Sequence, residues 1–220
     1  MTRAFDASVQ ERVSEAGVIA VLVIDRAEDA VPCAKALVEG GISVMELTLR
    51  TPAAIEALRR IKADVPEMTC GIGTILTPDQ VREVKEAGAV FGVAPGFNPR
   101  VVDTAREAGL SYAPGIATPS ELELAVERGC RLLKFFPAEP SGGMPYLKSM
   151  AGPYKHLGLS FVPLGGLRPT NAGDYLESPL VAAVGGSWIA PRDLIAQQDW
   201  RAIAANAREA ARLASGIRNA

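Results

Sequence analysis

Short apolar runs alternate with amphipathic stretches along the whole chain. The runs open near Val18, Ser43, Met68, Ala89, Ser111, Arg131, Leu159 and Leu180. Their mean spacing is roughly 23 residues, enough for one strand, one helix and two short loops. The first run, Val18-Ile19-Ala20-Val21-Leu22-Val23-Ile24, is apolar on both faces, as a parallel strand covered by helices must be. Between the runs, Ala27, Ala30, Val31, Ala34, Leu37 and Val38 recur at helical spacing, and Gly40-Gly41 stops the segment. Pro52 precedes Ile55, Leu58 and Ile61 in the same way. Thr77-Pro78, Asn98-Pro99 and Thr118-Pro119 each read as an N-cap followed by proline at the first helical position. A last helix is expected from about Trp200 to Ser215, and an extra one over residues 3–16, before the first strand.

Eight strand–helix units predict an α/β protein, a closed (β/α)8 TIM barrel, in one domain over residues 1–220. The chain is compact for that fold, whose usual size is ~250 residues. The runner-up is an open doubly wound sheet, but no GxGxxG follows the first strand.

The charge balance narrows the function. Of 220 residues, 23 are Lys or Arg and 25 are Asp or Glu, a net charge of −2. That is not the basic excess of a nucleic-acid or anionic-membrane binder. The longest apolar or glycine run, Ala16 to Ile24, is short of the ~20 residues that span a bilayer. The first residues lack the apolar core of a signal peptide. A cytoplasmic protein with no nucleic-acid or membrane partner is expected. Cys33, Cys70 and Cys130 are scattered and read as small buried hydrophobes. His156 is the only histidine, which excludes a His-rich metal site. No metal and no cofactor are expected, so any chemistry must come from Lys, Glu, Asp, Arg, Ser or Thr.

In such a barrel, chemistry sits at the C-terminal strand ends. The second strand carries Glu46, Thr48 and Arg50 on one face. A carboxylate there must be paired or keep its proton, and a structural Glu46–Arg50 pair is the plain reading. The third strand ends Cys70-Gly71-Ile72-Gly73-Thr74, where glycines permit close approach to the backbone. Pro95 belongs to a turn that shapes the rim. The sixth strand reads Leu132-Leu133-Lys134-Phe135-Phe136-Pro137. Lys134 either snorkels to the rim or is a desolvated amine whose neutral form attacks a carbonyl. Gly165-Gly166 and Gly185-Gly186-Ser187 end the last two strands, the usual phosphate site of this fold.

Together these segments resemble the class I 2-keto-3-deoxy-6-phosphogluconate aldolases, the pyruvate aldolases of the Entner–Doudoroff pathway. The resemblance rests on Val44-Met45-Glu46-Leu47-Thr48-Leu49-Arg50-Thr51, Gly71-Ile72-Gly73-Thr74-Ile75-Leu76, Pro114-Gly115-Ile116-Ala117-Thr118, Lys134-Phe135-Phe136-Pro137-Ala138-Glu139 and Gly185-Gly186-Ser187-Trp188. It implies Lys134 as the Schiff-base lysine and Glu46 as the general acid/base. It implies Arg50 and Thr74 as ligands of the pyruvyl carboxylate, and Pro95, Phe136 and Leu164 as further substrate contacts. Gly165, Gly166, Gly186 and Ser187 would cradle phosphate. The activity it implies is cleavage of the phosphogluconate-derived keto acid to pyruvate and glyceraldehyde 3-phosphate, with action on the galactonate epimer and on 4-hydroxy-2-oxoglutarate. A homotrimer is also implied. Leu164 departs from the family pattern, which carries threonine there. Two other classes fit the same residues: a sugar-phosphate isomerase or epimerase, and a non-catalytic phosphometabolite-binding protein.

Overall fold

The computed structural model describes residues 4–218. The chain opens with α1 (Ala7–Ala16), which the Asp6 carboxylate caps by accepting from the Ser8 and Val9 amides. The helix expected over 3–16 thus begins at Ala7, and residue 3 lies outside the described residues. There follow β1 (Val18–Leu22), α2 (Ala30–Glu39), β2 (Val44–Thr48), α3 (Ala54–Asp64), β3 (Thr69–Gly73) and α4 (Pro78–Glu86). Next come β4 (Phe91–Val93), α5 (Pro99–Glu107), β5 (Ser111–Ala113), β6 (Gly115–Ile116), α6 (Pro119–Glu127) and β7 (Leu132–Phe135). The chain continues through α7 (Gly143–Ala151), β8 (Ser160–Pro163), α8 (Pro169–Leu176), β9 (Val184–Gly186), α9 (Arg192–Ala196) and α10 (Trp200–Arg218).

The helix starts follow local chemistry. Thr77 and Thr118 each accept from the amide three residues on, and the Gln80 and Glu121 side chains return the bond to the cap amides. These reciprocal bonds, with proline next in sequence, satisfy donors that the first turn would leave orphaned.

The closed-barrel expectation is corrected by the strand pairing. The strands form a six-stranded parallel sheet, ordered β5-β4-β3-β2-β1-β9, and a three-stranded parallel sheet, β6-β7-β8. Among the described residues, no continuous ring of eight paired strands is present. Pro114, which has no N–H to donate, splits the expected fifth strand into β5 and β6. On the other side, the run expected from Leu180 contributes only an isolated bridge, Phe161 to Val181, before β9 begins at Val184.

The two sheets share one apolar interior. Ile19, Val44, Phe91, Val93, Leu132 and Val162 pack there with Phe5, Val9 and Val13 from α1 and its lead-in. A larger apolar cluster lies between the strands and the helices. The interior fixes the site, because β2 and β7 both direct a charged side chain into it.

Candidate active site

Those side chains are Glu46 and Lys134. Both are nearly fully buried, at 3% and 5% exposure. Lys134 Nζ donates to Glu46 Oε1 at 2.9 Å and to Oε2 at 3.2 Å. A buried ion pair is tolerated when both partners are satisfied, and breaking it by removing one partner is costly. The expected Glu46–Arg50 pair therefore does not form. Strand β2 ends at Thr48, the Arg50 amide turns back to the Thr48 carbonyl, and Arg50 is exposed. Among the described residues, the Arg50 guanidinium has no hydrogen-bond or ion-pair partner.

The pair lies in the wall of a cavity of about 330 Å³, whose lining includes every sequence-predicted site residue. Arg50, Thr74 and Pro95 line it from the loops after β2, β3 and β4. Phe136 contributes from the end of β7; Leu164, Gly165 and Gly166 contribute from beyond β8. Gly186 and Ser187 complete the wall. Lys134 Nζ also lies 5.5 Å from the Phe136 ring centroid, where the ring face favours a cation. A separate apolar pocket, lined by Phe5, Val13, Ile19 and Phe91, reaches Glu46 and Lys134 from α1's side.

Backbone geometry serves the cavity as well. Thr74 has φ +66, a strained conformation for a β-branched residue and one that concentrates at functional sites. Gly165 and Gly166 have φ +94 and +84, and a Cβ on Gly166 would come 2.6 Å from Glu139 Cβ. Only glycine suits that turn without strain.

Val21 and Leu167, not read as site residues in the sequence, also line the cavity, as do Thr48 and Gly185. The Thr48 hydroxyl donates to the Leu22 carbonyl at 2.9 Å. Gly73 has a distinct part: a Cβ there would lie 1.9 Å from Glu46 Oε1. The missing side chain is the space that the carboxylate occupies. The glycines of β3 were legible as a signal for close approach, but the approaching group belongs to the neighbouring strand.

The arrangement provides an amine, an adjacent carboxylate able to take or return its proton, a guanidinium without a partner among the described residues, and a glycine-lined wall. The KDPG and KHG aldolase family matches residues 9–206. The 2-dehydro-3-deoxy-phosphogluconate aldolase of Pseudoalteromonas atlantica is 42% identical over 217 residues, covering 99% of this chain and 100% of that protein. The KHG/KDPG aldolase of Escherichia coli K12 is 43% identical over 203 residues, covering 92% of this chain and 94% of that one. A KDPG aldolase from Legionella pneumophila superposes with a TM-score of 0.87 at 40% identity, over 91% of this chain and 97% of that chain. Its crystal structure holds pyruvate captured at low pH as a covalent carbinolamine intermediate. With a full-length match to these relatives and a buried Lys–Glu pair inside its cavity, the chain belongs to the KDPG and KHG aldolase family and is a carbon–carbon lyase.

Proposed function

We propose that this chain, acting as a single domain, cleaves 2-keto-3-deoxy-6-phosphogluconate to pyruvate and glyceraldehyde 3-phosphate through a Schiff base on Lys134. The observation that carries the proposal is the contact of Lys134 Nζ with both Glu46 oxygens inside a substrate-sized cavity.

Proton transfer within that pair gives a neutral amine and a neutral acid with no change in net charge. The amine attacks the C2 ketone, forming the C–N bond; the carbonyl electron pair moves to oxygen, which takes one proton from the new ammonium to give a neutral carbinolamine. Glu46 returns the proton as the carbinolamine loses water, leaving a cationic imine. That cation is the sink for the C3–C4 bond electrons. Glu46, through a water, takes the C4 hydroxyl proton as the aldehyde departs. The remaining enamine is reprotonated at C3, and hydrolysis of the imine frees pyruvate. Arg50 and Thr74 hold the pyruvyl carboxylate, the guanidinium by its planar charged fork. Pro95, Phe136 and Leu164 pack along the substrate, and Gly165, Gly166, Gly186 and Ser187 receive the phosphate. The same reading carries 4-hydroxy-2-oxoglutarate as a second substrate, and a cytoplasmic homotrimer in the Entner–Doudoroff pathway.

Pyruvate release, followed with a coupled dehydrogenase, tests this. Lys134→Ala is expected to abolish release. Glu46→Gln is expected to slow it by ~10²–10⁴-fold, the usual worth of a positioned acid/base. Wild-type rates in either variant would overturn the assignment.

A further inference from the structure

The cavity continues outward into a second one of about 470 Å³. Arg50, Gly166 and Ser187 line both, so they mark the seam. The ionisable residues lining the outer cavity are Arg50, Arg168 and Arg192, with no carboxylate among them. That sign opposes the slight acidic excess of the whole chain, at −2.

The three arginines are not equivalent. Arg192 gives Nε and Nη2 to the two Asp25 oxygens at 2.7 and 2.6 Å, so its charge is matched. Arg50 also faces the inner cavity. Arg168 is exposed, and its guanidinium has no partner among the described residues. Its backbone is anchored: the Arg168 amide donates to Asn171 Oδ1 at 2.7 Å, and Asn171 Nδ2 donates to the Gly166 carbonyl at 3.4 Å. The side chain thus has a fixed root beside the seam and an uncommitted head.

We infer that Arg168 is a specificity-determining residue for the distal dianionic phosphate of the substrate, meeting it from the outer cavity while the Gly166–Ser187 seam meets it from within. The inference rests on the proposed aldolase reading. Backbone N–H groups bind oxyanions of many kinds, whereas a guanidinium adds full charge and a bidentate fork suited to phosphate. The Asp25–Arg192 pair keeps Asp25 from neutralising that field. Because the site is exposed, the contribution must be sensitive to salt.

Steady-state kinetics on the full chain test this, with pyruvate trapping by borohydride as a control that loads the inner cavity alone. Arg168→Gln is expected to raise KM for the phosphorylated keto acid about tenfold, the worth of one charged hydrogen bond, with kcat little changed. Arg168→Lys should lie between the two. Wild-type KM should rise with salt more steeply than that of Arg168→Gln, and pyruvate trapping should be the same in all three proteins. An unchanged KM in Arg168→Gln, or pyruvate trapping that weakens in step with KM, would overturn the inference. Absence of trapping in the wild type would instead overturn the aldolase reading.

Discussion

Glu46 owes its place to a residue without a side chain. Gly73 pairs with Thr48 in the β2–β3 register, and Glu46 pairs with Gly71. The Glu46 carboxylate fills the volume that a Gly73 Cβ would claim. Gly73→Ala is therefore expected to displace the carboxylate from Lys134. Misplacing a reacting group by about 1 Å can cost on the order of 10²-fold in rate, and cleavage should fall by that order. Circular dichroism on the same sample checks that the fold is retained. Cleavage at the wild-type rate would mean that the clearance has no part in the reaction. Lys134 and Gly73 differ in how legible they are. A lysine between leucines and phenylalanines stands out in a sequence, while a glycine's meaning depends on which neighbour enters its space. The Glu46–Lys134 contact joins residues 88 apart. Alternation along β2 shows that Glu46 faces inward, but not which strand it faces.

At the scale of elements, the helix starts were plain in the sequence because capping is local chemistry: Thr77, Asn98 and Thr118 each accept from an amide two or three residues on. The strands were less so, because pairing is not local. Pro114 was visible as a residue, yet its splitting of one strand into two depends on the neighbours that β5 and β6 adopt. The segment after β8 carries the departure from the family pattern. Leu164 is buried at 4% exposure, its carbonyl accepts from the Ala138 amide at 2.7 Å, and its side chain covers Gly185. It also lines the inner cavity. Leucine offers no hydrogen bond to the substrate's C4 hydroxyl. Rejection of an epimer works best when the wrong substrate leaves a site group unpaired. The gluconate- and galactonate-derived substrates are accordingly expected to have kcat/KM values within about tenfold, or ~1.4 kcal/mol. Leu164→Thr should widen the ratio in favour of the gluconate-derived acid. A strong wild-type preference that the substitution leaves unchanged would show that Leu164 only packs over Gly185.

At the scale of the whole molecule, the three cysteine thiols are sealed away from the inner cavity. Cys33, Cys70 and Cys130 are all buried. Burial pushes the thiols of Cys33 and Cys70 up to about 12, and that of Cys130 up to about 11, from an ordinary 9.0. A raised thiol pKa favours the folded state below the unfolded thiol's value. That contribution is lost as pH climbs from about 9 toward 11–12, where the unfolded chain gives up protons that the folded chain retains. Denaturant titrations at pH 8 and pH 10.5 should show lower stability at the higher pH, and a Cys33→Ala/Cys70→Ala double variant should show a smaller difference between them. An equal pH difference in that variant would place the loss elsewhere. Removing these thiols should leave cleavage intact, because neither lines the inner cavity. On the proposed mechanism, cleavage depends first on a Schiff base at Lys134.

That dependence is read most directly by reducing the protein with borohydride in the presence of pyruvate and mapping the product after trypsin. Reduction of the imine leaves a secondary amine bearing a carboxyethyl group, and trypsin does not cut after a lysine so modified. Unmodified protein should yield a cut after Lys134. The adduct should appear as one uncut peptide running from Leu132 to Lys148, heavier by a single carboxyethyl group and absent from Lys134→Ala. A normal cut after Lys134, with no mass added or with the mass on another lysine, would contradict the account.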